Sequence, residues 1–195
     1  MRNTFSPKNA GFTLVESMVA VSILSVAITG PLLIAQKGIA SAVYSRDQVT
    51  ASYLAQEAVE YIRNARDTNG NNGSSWLNGF DACVSPNFCV IDARYPDFTT
   101  VDGSGLPLAV KGCTGVGGIC PNISLNKSTS GIGAGLYGYE SSANGFTTTP
   151  FVRAVSLVMV GGGQDQAILT VRVSWTTALF TPVKQFVVKE VLFNI

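Results

Sequence analysis

One long apolar run dominates the first part of the chain. It covers residues 12–35 with the sequence FTLVESMVAVSILSVAITGPLLIA, and Glu16 is the only charged residue between Lys8 and Lys37. A helix needs about 20 apolar residues to cross a bilayer core of about 30 Å. The run is therefore long enough to span a membrane. An acid inside such a span is expected to have a function and a partner.

The helical pattern continues to about Asp67. Gly30-Pro31 interrupts it once, and proline removes one backbone hydrogen bond, so a kink rather than an end of the helix is expected. Beyond residue 35 the pattern becomes amphipathic, with an apolar face that is predicted to dock on the rest of the protein. That face has members at steps of three and four: Ala51, Leu54, Ala58, Ile62 and Ala65. Charged residues are predicted on the other faces: Asp47, Glu57, Glu60 and Arg63.

The last third of the chain has the period of two that is typical of strands. Residues 167–176 alternate between an apolar and a more polar face, and runs at 151–160 and 183–193 flank them across glycine and proline turns. Three such runs predict an antiparallel meander. The apolar face of the central run is formed by Ala167, Leu169, Val171, Val173 and Trp175.

The sheet needs a cover, and the amphipathic half of the helix is the available one. The sequence therefore predicts an α+β protein in which a long N-terminal helix packs on a C-terminal antiparallel β-meander. Asparagines and glycines from residue 69 to 75 are expected to end the helix. The stretch from there to residue 149 is predicted to be rich in loops, with short strands at 89–95 and 106–111 and a surface loop at 128–138.

Four cysteines lie in this loop-rich stretch, after the apolar run. Cys83 and Cys89 are separated by five residues, and Cys113 and Cys120 by six. An even number in an exported domain favours disulfides, and local pairing within each couple is the simplest of the three connectivities. A four-cysteine zinc site is the rival interpretation, but zinc knuckles usually have about two to four intervening residues.

The N-terminus resembles a known family. Lys8-Asn9-Ala10-Gly11 followed by Phe12-Thr13-Leu14-Val15-Glu16 is similar to the cleavage and methylation signature of type IV pilins and type II secretion pseudopilins. The resemblance implies that a membrane-embedded prepilin peptidase cuts between Gly11 and Phe12 and methylates the new amine of Phe12. It also implies that Glu16, the fifth residue of the processed chain, pairs with the N-terminal amine of a neighbouring subunit during assembly.

The resemblance implies a domain organisation, a location and partners. Residues 1–11 are a prepilin leader, 12–35 the transmembrane and assembly half of the helix, 36–67 its amphipathic half, and 68–195 an extracytoplasmic β-rich domain. Basic Arg2 and Lys8 precede the span, so the N-terminus is expected in the cytoplasm and the C-terminal domain outside the inner membrane. The implied partners are other pilins or pseudopilins, the prepilin peptidase, an inner-membrane assembly platform and membrane lipid. The size and the loop-rich insertion favour a minor subunit of a pilus or secretion pseudopilus.

Two other interpretations of the N-terminus stay open at this point. A secretory signal peptide also has a basic start and an apolar core, and Ser25-Val26-Ala27 resembles its cleavage site, although its core is usually about 7 to 15 residues long. A plain membrane anchor is the other. Either one makes the protein a membrane-anchored or secreted, disulfide-stapled binding or adhesion module. Trp76, Phe80 and Phe88 are candidate contacts, although core packing is the favoured role for these side chains.

The composition offers little for catalysis. The sequence has no histidine, which removes the usual general base and the commonest zinc ligand, so no catalytic residue, metal or cofactor is assigned. Net charge is +1 and no basic patch is evident, so no nucleic-acid partner is assigned either. Asp92, Asp97 and Asp102 fit no EF-hand spacing, and solvated loop acids are the favoured interpretation.

Overall fold

A computed structural model of the protein describes residues 11–95, 109–114, 119–128, 134–140, 145–161, 165–177 and 180–194. The chain forms two compact units, residues 1–46 and 47–195. One α-helix and seven strands are defined within the described residues. They are α1 (Leu14–Asn71), β1 (Cys89–Ile91), β2 (Val110–Gly112), β3 (Asn122–Asn126), β4 (Tyr137–Gly138), β5 (Phe146–Val160), β6 (Gln166–Thr177) and β7 (Phe180–Phe193).

Helix α1 is continuous through Pro31, as expected, and its ends differ slightly from the predicted ones. It begins two residues after Phe12, because Thr13 caps the first turn. It extends four residues beyond Asp67, because the buried Asn69 side chain donates hydrogen bonds to the carbonyl oxygens of Trp76 (3.2 Å) and Asn78 (3.1 Å). These bonds fix the chain where it leaves the helix.

In the second unit α1 has the predicted apolar face. All five residues predicted for that face are buried, and Ala55 and Val59 extend it. The prediction for Asp47 was wrong, because its side chain is only 4% exposed instead of lying on a solvent face. Glu57 and Glu60 are exposed, as expected, whereas Arg63 is half-buried beside Glu190 of β7. The helix thus presents small and branched apolar side chains to the sheet, and this confirms the α+β fold class.

The sheet is antiparallel and has seven strands, with β5 as its organising strand. Along one edge β5 pairs with β1 and β3, which lead on to β2 and β4, and along the other it pairs with β6. The long meander β5–β6–β7 is confirmed, with Val155 opposite Val171 and Val171 opposite Val188. Strands β3 and β4 were not predicted, β4 lies in the stretch that was predicted to be a surface loop, and β1 is shorter than expected. Parts of the predicted strand at 106–111 and of the predicted loop at 128–138 lie outside the described residues.

The core lies between α1 and the inner face of the sheet. The predicted alternation of β6 is confirmed, since Ala167, Leu169, Val171, Val173 and Trp175 are all buried. Trp175 packs beside Phe151 of β5, with 6.0 Å between the ring centroids. Burial of these side chains removes apolar surface from contact with water, and this transfer gives the unit most of its stability.

A buried arginine joins three elements of this unit. Arg153 of β5 is 2% exposed, and its guanidinium donates hydrogen bonds to the carbonyl oxygens of Leu54 in α1 (2.7 Å) and Ile91 in β1. It also forms an ion pair with Glu57 at 2.6 Å. Next to it, burial raises the pKa of the Tyr139 hydroxyl, although the charge of Arg153 lowers it. Arg153 therefore connects α1 to the sheet by bonds that an apolar residue cannot replace.

A second arginine holds the β4 end of the sheet. The Arg94 guanidinium binds both carboxylate oxygens of Asp92, at 2.9 and 2.6 Å, and Glu140 at 2.8 Å, and these contacts raise its pKa. The central carbon of the guanidinium, Cζ, lies 4.7 Å from the ring centroid of Phe146. The interpretation of Asp92 as a solvated loop acid was wrong, because the side chain is buried and paired; Asp97 and Asp102 lie outside the described residues.

Gly138→Ala is expected to lower the free energy of unfolding by about 1.5–3 kcal/mol, which is the range for hydrogen bonds to charged groups. A β-carbon at this position would overlap the Arg94 guanidinium, which its partners hold in place, so the Asp92 contacts would be lost. Urea unfolding of the full chain in detergent measures the change. The matched control is Gly112→Ala, whose β-carbon would make only an ordinary contact with Ala82, at 3.7 Å, and should change stability by less than about 0.5 kcal/mol. Equal midpoints for the two variants would contradict this account.

Both local disulfides are present in the structure, Cys83–Cys89 and Cys113–Cys120. The first joins a short 3-10 helix, Asp81–Cys83, to the start of β1, and the second closes the segment between β2 and β3. Both Cys83 and Cys89 are fully buried. Each crosslink restricts the unfolded chain where the fold has few regular hydrogen bonds, which is worth about 2–3 kcal/mol per loop of this size.

Candidate processing and assembly segment

The residues predicted to be cut lie just before α1. Gly11 and Phe12 are outside the helix, and both are exposed, Phe12 by 80%. Nothing in the described structure lies within 4 Å of the place where a β-carbon at Gly11 would be. A peptidase needs backbone that is free of helical hydrogen bonds and open to approach. This segment satisfies both conditions.

Thr13 ends the segment by capping the helix. Its side-chain oxygen accepts a hydrogen bond from the backbone N–H of Glu16 (3.3 Å), and its carbonyl oxygen accepts one from the N–H of Ser17 (3.2 Å). This role of Thr13 was not predicted, although the sequence contains a signal for it. Thr13 and Glu16 have the spacing of a capping box, in which a threonine is followed three positions later by a glutamate. The cap fixes where the helix begins.

Glu16 lies in the first turn of α1 and is exposed. A carboxylate there interacts favourably with the positive end of the helix dipole. Along the helix the next basic residue is Lys37, which at about 1.5 Å per residue lies about 31 Å away. The described part of α1 therefore provides no cation close to Glu16, and a full counter-charge must come from another molecule or from the chain before residue 11.

The side chains around Glu16 are apolar and unburied. Leu14, Val15, Met18 and Val19 are each more than half exposed. Among the described residues α1 is the one helix long and apolar enough to cross a membrane, and its most apolar stretch is not covered by the protein itself. A core helix of a soluble protein would be covered. A cleaved signal sequence would also be exposed, so the exposure of this stretch fits both a membrane anchor and a signal sequence.

The hydroxyl groups of this stretch form hydrogen bonds with the backbone of the same helix. Ser22, Ser25 and Thr29 each donate a hydrogen bond to the carbonyl oxygen four residues earlier, at 2.8, 2.8 and 2.7 Å. In hydrocarbon an unpaired hydroxyl costs several kcal/mol, so these bonds make the polar residues compatible with a membrane. The carboxylate of Glu16 is then the one group in residues 12–35 that a membrane disfavours strongly.

The other predicted site residues lie in the second unit. The four cysteines form the two disulfides. Trp76 and Phe80 are buried, which confirms the favoured interpretation of these two side chains as core residues. Phe88 is half-buried beneath the Arg172 guanidinium. No group of three or more histidine, cysteine or acidic side chains that could hold a metal occurs among the described residues.

Comparison with known proteins decides between the interpretations of the N-terminus. A family model described as the prokaryotic N-terminal methylation motif matches residues 6–30. The chain carries the type IV pilin and pseudopilin signature. No curated protein and no solved structure matches the chain. The matched region includes Gly11, Phe12 and Glu16, and it covers most of the exposed apolar run.

The methylation motif also sets the general type of protein. Proteins with this pilin-type motif are structural subunits rather than enzymes, and they are anchored in a membrane or associated with a pilus. The exposed apolar half of α1 is the part of such a subunit that lipid or other subunits cover. The motif therefore supports a pilin- or pseudopilin-type structural subunit that assembles with others of its kind.

Proposed function

We propose that the protein is a minor pilin or minor pseudopilin of a type IV pilus or type II secretion pseudopilus. It is made as a precursor, processed after Gly11 and methylated at Phe12. It is held in the inner membrane with residues 68–195 outside, and then incorporated into a fibre. The observation that carries this proposal is the methylation motif at residues 6–30, which coincides with an exposed apolar helix.

The proposal gives Glu16 a defined partner. Cutting before Phe12 creates a new amine four residues from Glu16, and methylation keeps that amine basic. Within one chain Thr13 already caps the helix, while no basic side chain of the described helix lies close to Glu16. In a bundle of such helices, the amine of one subunit neutralises Glu16 of the next, and the attraction is strong in a low-dielectric surrounding. The pair fixes the axial position of each new subunit.

The segments of the chain then have separate tasks. Residues 12–35 pack against lipid first and against other subunits later, and residues 36–67 carry the external domain. The prepilin peptidase and an inner-membrane assembly platform are the partners required for processing and incorporation. The external domain is held by its helix–sheet core and its two disulfides, which suit an oxidising compartment.

Intact-mass spectrometry of the full chain, expressed with a prepilin peptidase and extracted from membranes, tests the proposal. The expected mass is that of a chain beginning at N-methylated Phe12. The matched control is Gly11→Val, which should retain residues 1–11, because a bulkier residue before the cut blocks the peptidase. A chain beginning near Ile28, or an uncut wild-type chain, would contradict the proposal.

A further inference from the structure

Strand β7 is a long edge of the sheet. It covers 14 residues, and within the described part of the chain it pairs only with β6. On the face that points away from α1 its valines are 64%, 42% and 46% exposed: Val183, Val187 and Val191. The side chains on the other face are half-buried: Lys184, Phe186, Val188 and Glu190. Such an edge presents a row of backbone N–H and C=O groups that can pair with another strand.

The edge strands at the far side of the sheet are short. Strand β2 has three residues and β4 has two, and very short edge strands resist pairing with another sheet. Strand β7 is long enough to pair. Pro182 has no N–H to donate, so a second strand can pair with β7 from Val183 onward.

Residues 183–191 are complementary to a second copy of themselves in antiparallel order. Side chains that face each other across an antiparallel pair lie on the same side of the sheet, so the centre of a self-pairing has to be a residue. With Val187 at the centre, it faces its own equivalent. Val183 then faces Val191 of the second copy, and Phe186 faces Val188. Every apolar side chain of the stretch therefore meets another apolar one.

The polar side chains fit the same register. Lys184 faces Glu190 of the second copy and Lys189 faces Gln185, so no like charges are opposite each other. Lysines on an edge strand usually oppose pairing, and here each one meets an acceptor. Glu190 keeps its contact with Arg63 of its own chain at 2.7 Å. The backbone hydrogen bonds and the apolar pairs, rather than charge, therefore provide most of the attraction.

The neighbouring registers do not have this match. If the centre moves by one residue, to Phe186 or to Val188, both lysines face valine or leucine side chains of the second copy. A lysine that is opposite an apolar side chain loses hydration without gaining an acceptor. The sequence of β7 thus selects one register.

We propose that β7 of one copy pairs antiparallel with β7 of a second copy, with Val187 at the centre. Pairing over residues 183–191 forms about eight to ten backbone hydrogen bonds, because an antiparallel ladder exchanges two bonds at every second residue pair. It joins two seven-stranded sheets into one. Both copies use the same surface, so the contact has a two-fold axis and closes as a dimer.

The two-fold axis is perpendicular to the sheet, so it reverses the direction of the α1 residues that pack on the sheet. Under the proposed function neighbouring subunits have parallel helices, because the amine at the start of one α1 pairs with Glu16 near the start of the next. The two copies joined through β7 therefore belong to separate bundles. This part of the proposal rests on the proposed function. It makes β7 a link between two fibres that run in opposite directions, and it leaves the α1 helices of each bundle together.

Cysteine cross-linking of the full chain in detergent tests the register. All four native cysteines are in disulfides, so an introduced cysteine is the only thiol. A short bismaleimide should join two copies of Val187→Cys, and it should join Val183→Cys to Val191→Cys when the two variants are mixed. Val183→Cys alone should give no dimer, because about 26 Å of strand separates the two thiols. Lys111→Cys, on the edge strand β2, is the control position.

Two results would overturn the pairing. One is a yield for Val187→Cys that is no higher than the yield for Lys111→Cys. The other is a dimer of Val183→Cys alone that forms as readily as the mixed dimer, since it would show a different contact.

A charge at the centre of the pairing provides an independent measurement. Val187→Lys places two like charges directly opposite each other and should reduce the mixed Val183→Cys and Val191→Cys yield by about fivefold or more. The matched control is Val158→Lys. Val158 is also 42% exposed, but it lies on β5, inside the sheet, so this variant should keep the yield. Equal yields for the two lysine variants would contradict the proposal.

Mixing two strains tests the link between fibres. One strain makes fibres with Val183→Cys and the other makes fibres with Val191→Cys, so a cross-link between the two variants can form only between fibres. We expect this adduct. If the variants cross-link in detergent but not between strains, the link between fibres is wrong. If the chain is not processed at Phe12, the proposed function is wrong, and the detergent experiment still measures the β7 pairing.

Discussion

Glu16→Ala is expected to abolish incorporation into fibres while leaving processing and membrane insertion unchanged. The substitution removes the one charge of the apolar run, so insertion is not impaired, and Gly11 and Phe12 are still present for the peptidase. Assembly, in contrast, leaves the amine of the neighbouring subunit without a counter-charge. Removing one partner of a buried ion pair costs about 3–5 kcal/mol, which lowers the association constant at least about a hundredfold.

The comparison with Thr13→Val separates the charge of Glu16 from its place in the helix cap. Thr13→Val removes the hydroxyl that accepts the Glu16 N–H, at a cost of about 1 kcal/mol in helix stability, but it keeps the carboxylate. This variant should therefore still assemble. Glu16→Gln keeps the size of the side chain without its charge and should fail like Glu16→Ala. Subunit content of sheared fibres, measured beside that of the membrane fraction, gives the result. Normal incorporation of either Glu16 variant would contradict the pairing.

The long elements of the fold could be predicted because their patterns are strong. The apolar face of α1 and the alternation in β6 repeat over many residues, so each identifies both the element and its buried side. The short strands lack this redundancy. Strand β3 (Asn122–Asn126) contains two asparagines and a serine, which favour turns, and only its pairing with β5 and β4 places it in the sheet. Sequence spacing gives no sign that β5 binds partners along both of its edges.

The candidate processing and assembly residues could be proposed from the sequence for a different reason. Gly11, Phe12 and Glu16 are adjacent in the sequence, so their relation is visible without any folding. The arginines of the external domain are not visible in this way. Arg153 lies in a strand where its neighbours alternate regularly, and its partners Leu54 and Ile91 are far away along the chain. A charged residue on a buried strand face can be assigned a role only when the fold shows which carbonyl groups it reaches.

Arg153→Met is expected to lower the free energy of unfolding by about 2–6 kcal/mol, because two buried carbonyl oxygens each lose a charged hydrogen-bond donor. Methionine fills much of the volume, but it cannot donate hydrogen bonds to the carbonyl oxygens of Leu54 and Ile91. Those groups then stay buried without their arginine donor, at about 1–3 kcal/mol each. The loss falls on the contact between α1 and the sheet. Urea unfolding of the full chain in detergent, followed by tryptophan fluorescence, measures it, since Trp76 and Trp175 are both in the core.

Glu57→Gln distinguishes the carbonyl contacts of Arg153 from its ion pair. The Glu57 side chain is 40% exposed, so water screens the pair with Arg153. Glutamine still offers a side-chain oxygen to the guanidinium, and this variant should lose about 1 kcal/mol or less. If Glu57→Gln were as damaging as Arg153→Met, the ion pair would be the main contribution. A loss below about 1 kcal/mol in Arg153→Met would show that the carbonyl contacts do not hold α1 on the sheet. We expect a larger loss of stability for Arg153→Met than for Glu57→Gln. In the two carbonyl hydrogen bonds both the donor and the acceptor are buried, whereas the Glu57 carboxylate is in contact with water.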